Sequence, residues 1–315
     1  MKLLLPSSIP LQIESLQADG VTPVVYDVHA PIPDEHRDAE ALVVWGNPGD
    51  RLRAMPQELP ELAWIQGLMA GTDAVEAAGF DLRITLCSGR GLHDAPVAEH
   101  TLALLLAAAR RLDRAVLAQA QSHWRAWEDV NQPFGAPAHL TTLAGARVLI
   151  WGFGGIGTRL AGYLSALGAQ VTGVATTAGE REGYPVITPT DLPEALPGTD
   201  VLVNILPATP DTAGAVGAEV LRSLPEHAWL VNVGRGATVD EEALLAALES
   251  GSIAGAALDV FDTEPLPADS PLWQAPNTIL TPHCAGGRPD QPERLIAENL
   301  RRLRAGEELL NIVRR

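Results

Sequence analysis

Lysine is almost missing from this 315-residue chain: Lys2 stands alone among 22 basic side chains, against 39 aspartates and glutamates. The formal net charge is therefore −17. Such a surface repels the phosphates of nucleic acid and of anionic lipid, so neither a nucleic-acid nor a membrane partner is expected. The arginine bias is better explained by codon usage than by function. Cysteine is nearly as scarce. Cys87 and Cys284 are the only two, without metal-ligand spacing, so no metal is expected and both are read as reduced core thiols of a cytoplasmic protein. Long apolar runs are also missing. No stretch approaches the roughly 20 apolar residues that cross a bilayer. The opening Met1-Lys2-Leu3-Leu4-Leu5-Pro6 is too short for a secretion signal and reads as a first strand. Repeats and low-complexity segments do not occur.

What is present is 46% hydrophobic residues in a chain long enough for two cores. Strand candidates in the first part are Lys2–Leu5, Pro23–Val28, Ala41–Trp45, Leu62–Gln66 and Ile84–Cys87, with turn chemistry at Asp19-Gly20 and Asn47-Pro48-Gly49-Asp50. A helix is expected from Asp94, as N-cap, to about Gln121, with Pro96 in its first turn. Such a helix would run roughly 40 Å, and its nearly all-round apolar surface calls for burial by two domains or a second subunit. Trp124 and Trp127 are expected to pack at the same junction.

From Arg147 the strand–helix alternation restarts, with strands at Val148–Trp151, Gln170–Ala175, Pro185–Ile187, Val201–Leu206, Trp229–Val233, Ala256–Val260 and Thr278–Thr281. The helices Ile156–Leu167 and Glu241–Glu249 lie between them, and a last helix from about Gln291 to Ala305 is expected to return to the first domain. The fold class expected is α/β, with two doubly wound parallel-sheet domains. A Rossmann cofactor domain, 95–285 with its bridging helix 95–121, is inserted into a flavodoxin-like substrate domain, 1–94 completed by 286–315.

The first motif is Gly152-Phe153-Gly154-Gly155-Ile156-Gly157, after a strand and before a helix. Gly152 allows the tight turn, Gly154 lets a pyrophosphate approach, and Gly157 permits close packing of the helix whose N-terminus faces the phosphates. Gly155 and Ile156 complete the loop. The place where an acid would hold the adenosine ribose falls at Ala175, followed by Thr176 and Thr177. Without a carboxylate nothing repels a 2′-phosphate, and these hydroxyls with Arg181 suit one. NADP is therefore favoured, with NAD as the alternative.

Three further stretches each follow an apolar run: Val231-Asn232-Val233-Gly234-Arg235-Gly236, Asp259-Val260-Phe261-Asp262-Thr263-Glu264-Pro265 and Thr281-Pro282-His283. The carboxyl ends of parallel strands share one sheet edge, so these groups converge. Reduction of a 2-oxo acid needs a hydride donor, a proton donor to the carbonyl oxygen and a cation for the carboxylate. His283 suits the proton, Glu264 would hold its far ring nitrogen and raise its pKa, and Arg235 can grip a carboxylate bidentately. Asp259 is expected to accept from the nicotinamide carboxamide, and Leu206, Pro207 and Val233 count among the cofactor-binding residues. Taken singly, each could be an ordinary surface or core residue.

At these residues, and at Ala98-Glu99-His100, the chain resembles the D-isomer-specific 2-hydroxyacid dehydrogenases. The resemblance implies Arg235 as substrate binder and Glu264 with His283 as the acid/base pair. It also implies a backbone anion site at Ala70 and Gly71, within Leu68-Met69-Ala70-Gly71-Thr72-Asp73, and a homodimer through the long helix. The activity implied is hydride transfer between NAD(P) and a small 2-oxo or D-2-hydroxy acid of the glyoxylate or hydroxypyruvate type. The alternative is a nicotinamide-nucleotide-sensing, corepressor-like protein on the same fold. Asn204-Ile205-Leu206-Pro207, where many relatives carry a histidine, is expected to alter contacts near the adenosine end. Arg288 is expected to be solvated.

Overall fold

The computed structural model describes residues 1–16, 20–124 and 140–314; Asp19 and Trp127, singled out above, lie outside them. The chain divides into two compact units, Met1–His93 with Arg288–Arg315, and Asp94–Gly287.

In the first unit, β1 (Lys2–Pro6), β2 (Thr22–Tyr26), β3 (Ala41–Val44), β4 (Trp64–Gly67) and β5 (Thr85–Cys87) form a parallel sheet ordered β2-β1-β3-β4-β5. This is the flavodoxin-like order. Every residue of β3 and β4 is buried, as their near-continuous apolar sequences require of strands covered on both faces. The helix Pro292–Ala305 covers one face, where Ile296 and Leu300 join Leu3, Leu5, Val43 and Trp64 in one cluster. Its buried Asn299 donates to Gln66 Oε1 on β4 at 2.8 Å and accepts from Leu310 N at 2.7 Å. A polar pair 233 residues apart thus fastens the C-terminal segment to the sheet.

The second unit carries β6 (Arg147–Trp151), β7 (Gln170–Val174), β8 (Gly179–Arg181), β9 (Tyr184–Ile187), β10 (Val201–Asn204), β11 (Trp229–Asn232), β12 (Gly255–Leu258) and β13 (Thr278–Leu280). Their order is β13-β12-β11-β10-β6-β7-β9-β8, parallel throughout except for the β8–β9 hairpin. From β6 the chain builds outward first on one side and then, from β10, on the other. The crevice at such a reversal point is where open α/β sheets take ligands. Strand β8, Gly-Glu-Arg, escapes sequence patterning because it has no apolar residue to bury. The strands β10, β11 and β12 stop one or two residues earlier than expected, where the chain leaves the ladder for the site loops.

The expected single helix is two. Asp94 is the first helical residue rather than a cap, and the first helix ends at Arg110. Arg111 adopts a left-handed conformation with φ 53°, and a second helix spans Leu112–Ala120. Arg111 is buried, with its guanidinium 5.8 Å from the centre of the Trp229 ring, and Arg114 donates to Asn277 Oδ1 at 2.6 Å. Turning Arg111 inward interrupts the helix, and a propensity argument cannot see that. The first helix buries Val97, Ala98, Thr101, Leu104, Leu105, Ala108 and Ala109. In the second, Leu112, Val116 and Leu117 are 50%, 62% and 61% exposed, and Trp124 beyond it is 96% exposed. In the single chain the second segment and Trp124 are therefore exposed. Among the described residues no helix is long and apolar enough to cross a membrane.

Candidate active site

Strand β6 stops at Trp151 and the chain turns at Gly152 with φ 104°. A Cβ there would also meet the Ile205 carbonyl oxygen at 2.6 Å, because β6 and β10 end side by side. Both the dihedral and the space demand glycine. At Gly154 a Cβ would meet nothing, which leaves room for a phosphate; at Gly157 it would meet Gly152 O at 2.9 Å, so the helix Gly155–Ala166 packs close. Gly154 caps that helix without a side-chain hydrogen bond, so an anion can serve its first turn, opened by Gly155 and Ile156. The space beside Gly155 is held by the Asp94 carboxylate.

At the end of β7, Ala175 is followed by the exposed Thr176 and Thr177. Arg181 of the β8–β9 hairpin donates from Nη1 to Phe153 O at 2.7 Å, which sets its guanidinium at the glycine loop. Past β10 come buried Leu206 and exposed Pro207. A Cβ on Gly234 would meet Leu206 O at 2.6 Å, so the Val233–Gly234 turn lies against that segment.

Arg235 follows β11 and donates from Nη1 to Gly234 O at 2.8 Å. Its loop rests on a buried neutral network. Asn204 Nδ2 donates to Asn232 Oδ1 at 3.1 Å and to Thr238 Oγ1 at 2.6 Å. Thr238 Oγ1 and Asn232 Nδ2 then donate to Arg235 O at 2.6 and 3.2 Å, and Asn232 Oδ1 accepts from Gly234 N at 3.1 Å. Asn204 is fully buried and supports the arginine loop, and its Oδ1 also accepts from Leu206 N at 3.2 Å. Sequence reasoning missed this network, although the signal was there: β10 and β11 both end in asparagine, in register.

The loop after β13 carries His283, whose Nδ1 lies 2.6 Å from Glu264 Oε2. Glu264 Oε1 accepts from Phe261 N at 2.9 Å, which fixes the carboxylate. The carboxylate assigns the proton to Nδ1 and leaves Nε2 as the ring's other hydrogen-bonding atom. His283 has φ 49°, in the left-handed region that a non-glycine residue occupies only under constraint. The constraint is Asp259, whose carbonyl accepts from His283 N at 2.7 Å. The Asp259 side chain is 1% exposed. Its Oδ1 accepts from Thr281 Oγ1 at 2.6 Å and Cys284 N at 3.0 Å, and its Oδ2 from Ala285 N at 2.9 Å. His100 Nε2 lies 3.1 Å from Thr281 Oγ1 and 3.4 Å from Asp259 Oδ1. Burial alone would raise the Asp259 pKa, but the bonds from His100, Thr281, Ala285 and Cys284 outweigh it and hold the carboxyl below the usual aspartate range.

Of the two cysteines only Cys284 departs from the expected core position. Cys87 is buried, with burial pushing its thiol up to about 11, whereas Cys284 is exposed. Partial burial and the nearby Asp259 charge also raise the Cys284 thiol, so it is not an activated nucleophile. In the first unit, Ala70 and Gly71 follow the carboxyl end of β4. The base of their loop is anchored by His93 Nε2 at 2.7 Å from Leu68 O and by Gly89 N donating to Met69 O at 2.7 Å. Arg288 is exposed.

A family model described as the NAD binding domain of D-isomer specific 2-hydroxyacid dehydrogenases matches residues 102–285. The chain belongs to the D-isomer specific 2-hydroxyacid dehydrogenase family. Family relatives include glyoxylate/hydroxypyruvate reductase A of Klebsiella pneumoniae strain 342, 41% identical over 163 residues. That alignment takes in 50% of this chain and 51% of the relative, so the chain spans about half the length of this relative. The enzyme of the same name from Serratia proteamaculans strain 568 is 32% identical over 91% of this chain and 90% of its own. The crystal structure of a D-isomer specific 2-hydroxyacid dehydrogenase from Xanthobacter autotrophicus Py2, in complex with NADPH and MES, superposes with a TM-score of 0.79 at 31% identity, covering 100% of this chain and 98% of that one. As in its family, the second unit is a Rossmann fold, and the open space at Gly154 suits a dinucleotide.

Proposed function

We propose that the chain is an NAD(P)-dependent 2-oxo acid reductase, or D-2-hydroxyacid dehydrogenase, acting on small acids of the glyoxylate or hydroxypyruvate type. The observation that carries this is the His283 Nδ1–Glu264 Oε2 pair at 2.6 Å, on the sheet edge that also bears the glycine loop and Arg235. When bound, the reduced nicotinamide supplies the hydride. His283, protonated and held through Nδ1, gives the Nε2 proton to the carbonyl oxygen as charge develops there. Glu264 fixes the ring and balances the imidazolium. Arg235 takes the substrate carboxylate and polarises the adjacent carbonyl. The loop glycines with Ile156, Leu206, Pro207, Val233 and Asp259 are assigned to the cofactor, Ala70 and Gly71 to the substrate carboxylate through their N–H groups, and the first unit to substrate.

We favour NADPH over NADH. Ala175 brings no carboxylate to the end of β7, Thr176 and Thr177 are open to solvent, and Arg181 is held beside the glycine loop. A cytoplasmic homodimer is part of the proposal, supported by the exposed apolar Leu112, Val116 and Leu117. Oxidation of NADPH and NADH, followed in parallel with glyoxylate, hydroxypyruvate and pyruvate, tests the whole. Turnover with NADPH preferred is expected. Better use of NADH would overturn the cofactor choice, and tight cofactor binding without turnover on any of these acids would overturn the reductase.

A further inference from the structure

Three potential metal ligands distant in sequence meet behind the His283 loop. His100 Nε2, Asp259 Oδ1 and Cys284 Sγ all lie within 4.8 Å of one another. His100 Nε2 is 3.4 Å from Asp259 Oδ1, and Cys284 Sγ is 3.7 Å from the same oxygen. Ligand atoms around a tetrahedral zinc ion, with bonds of about 2.0–2.3 Å, stand roughly 3.3–3.7 Å apart. Two of the three separations fall in that range, and the third, between His100 Nε2 and Cys284 Sγ, is within 4.8 Å. Closing the third side to the tetrahedral separation takes a shift of at most about 1 Å, at the exposed Cys284.

The donor types select the ion. An imidazole, a carboxylate and a thiol suit zinc or a similar transition metal, whereas magnesium and calcium favour oxygen alone. The three differ in exposure: Asp259 is buried, His100 partly buried and Cys284 exposed. Cys284 thus gives an ion a way in, and Asp259 gives it a fixed anionic floor. Thr281, bonded to Asp259 Oδ1 and 3.1 Å from His100 Nε2, borders the fourth position, where water can complete the tetrahedron.

We propose that His100, Asp259 and Cys284 form a binding site for zinc or a similar divalent transition metal, and that its occupation arrests turnover. On binding, the Cys284 thiol releases its proton to solvent, and His100, which in the free protein donates from Nε2, changes tautomer so that its proton lies on Nδ1 and the Nε2 lone pair faces the ion. The Asp259 carboxylate is then committed to the ion. The loop 281–285 is fixed at Cys284, one residue from His283. Both effects act at the site the cofactor and the acid/base group require.

The test is a cobalt(II) titration of the metal-free full-length chain. The wild type should develop a near-ultraviolet thiolate-to-cobalt band that saturates at one equivalent. Cys284→Ala should lose the band while Cys87 remains, with thermal unfolding unchanged. His100→Ala should weaken cobalt binding by at least about tenfold, since even outer-shell losses cost ten- to a hundredfold. No band in the wild type, or an equal band in Cys284→Ala, would overturn the site. This part needs no turnover, so it stands apart from the proposed reaction. In assays, zinc should inhibit the wild type, chelator should restore it, and Cys284→Ala should tolerate at least about tenfold more zinc. Equal inhibition of both would overturn the link to turnover.

Discussion

Two loops on the same sheet edge are held by opposite means. The Arg235 loop rests on amide and hydroxyl groups: Asn204, Asn232 and Thr238, all buried and none ionisable at ordinary pH. The His283 loop rests on one buried carboxylate, Asp259, with donors from Thr281, Cys284 and Ala285. Charged acceptors hold hydrogen bonds at about 1.5–3 kcal/mol each, against about 1 kcal/mol for neutral ones. The stronger grip serves the loop whose histidine has φ 49°. The group proposed for proton transfer is thus the one whose backbone is held in a constrained pose. The proposed carboxylate binder stands on a neutral base, with its own guanidinium donating to Gly234 O.

Breaking each loop at its functional tip separates the roles most sharply. His283→Ala should lower kcat by about 10²–10⁴-fold, the usual worth of a general acid, while the cofactor still binds. Single-turnover kinetics alongside cofactor titration would show it, and normal turnover would refute the assignment. Arg235→Lys should act on substrate capture, with kcat/KM down about ten- to a hundredfold as the bidentate grip is lost. An unchanged KM and rate would remove Arg235 from the site.

Next comes the charged pin itself. Asp259→Asn replaces an acceptor with an amide that faces N–H donors, so unfolding free energy should fall by about 2–3 kcal/mol. The pH dependence sharpens the comparison. The Asp259 pKa is lowered in the folded state from the reference 3.8. Its contribution is therefore fully present above that reference value and is lost as pH falls through the folded pKa. Urea unfolding from pH 3 to 7 should show a shallower acid decline in Asp259→Asn than in the wild type. Parallel curves would mean the carboxylate is not the pin.

Much of this was legible in the chain. Apolar strands with a glycine loop, an arginine, a glutamate and a histidine at their ends gave the sheet edge and its chemistry. What stayed hidden depends on long-range partners. The turn at Arg111 is decided by Trp229, and the grip of the last helix by Gln66 and Asn299. The cluster of His100, Asp259 and Cys284 has no local spacing, so a search for neighbouring ligands passes over it. The Asn204–Asn232 pair could have been inferred, because two adjacent buried strands ending in asparagine must satisfy each other.

That neutral network gives the smallest expected effect and the cleanest contrast. Thr238→Val keeps the shape but removes the hydroxyl that joins Asn204 Nδ2 to Arg235 O. One N–H of Asn204 loses its partner, while Arg235 O keeps Asn232 Nδ2 and Thr238 N, so the cost should be about 1–2 kcal/mol. No ionisable group is removed, and the loss should be the same at every pH where the wild type is folded. Because the hydrogen bond lost is the shortest of those to the Arg235 carbonyl, KM should rise a few-fold while kcat moves little. Thr238→Ser, which restores the hydroxyl, should recover most of both. A kcat loss as large as that of His283→Ala would show that the arginine loop also sets the geometry of proton transfer. A pH-dependent stability loss would show that the two loops share their support.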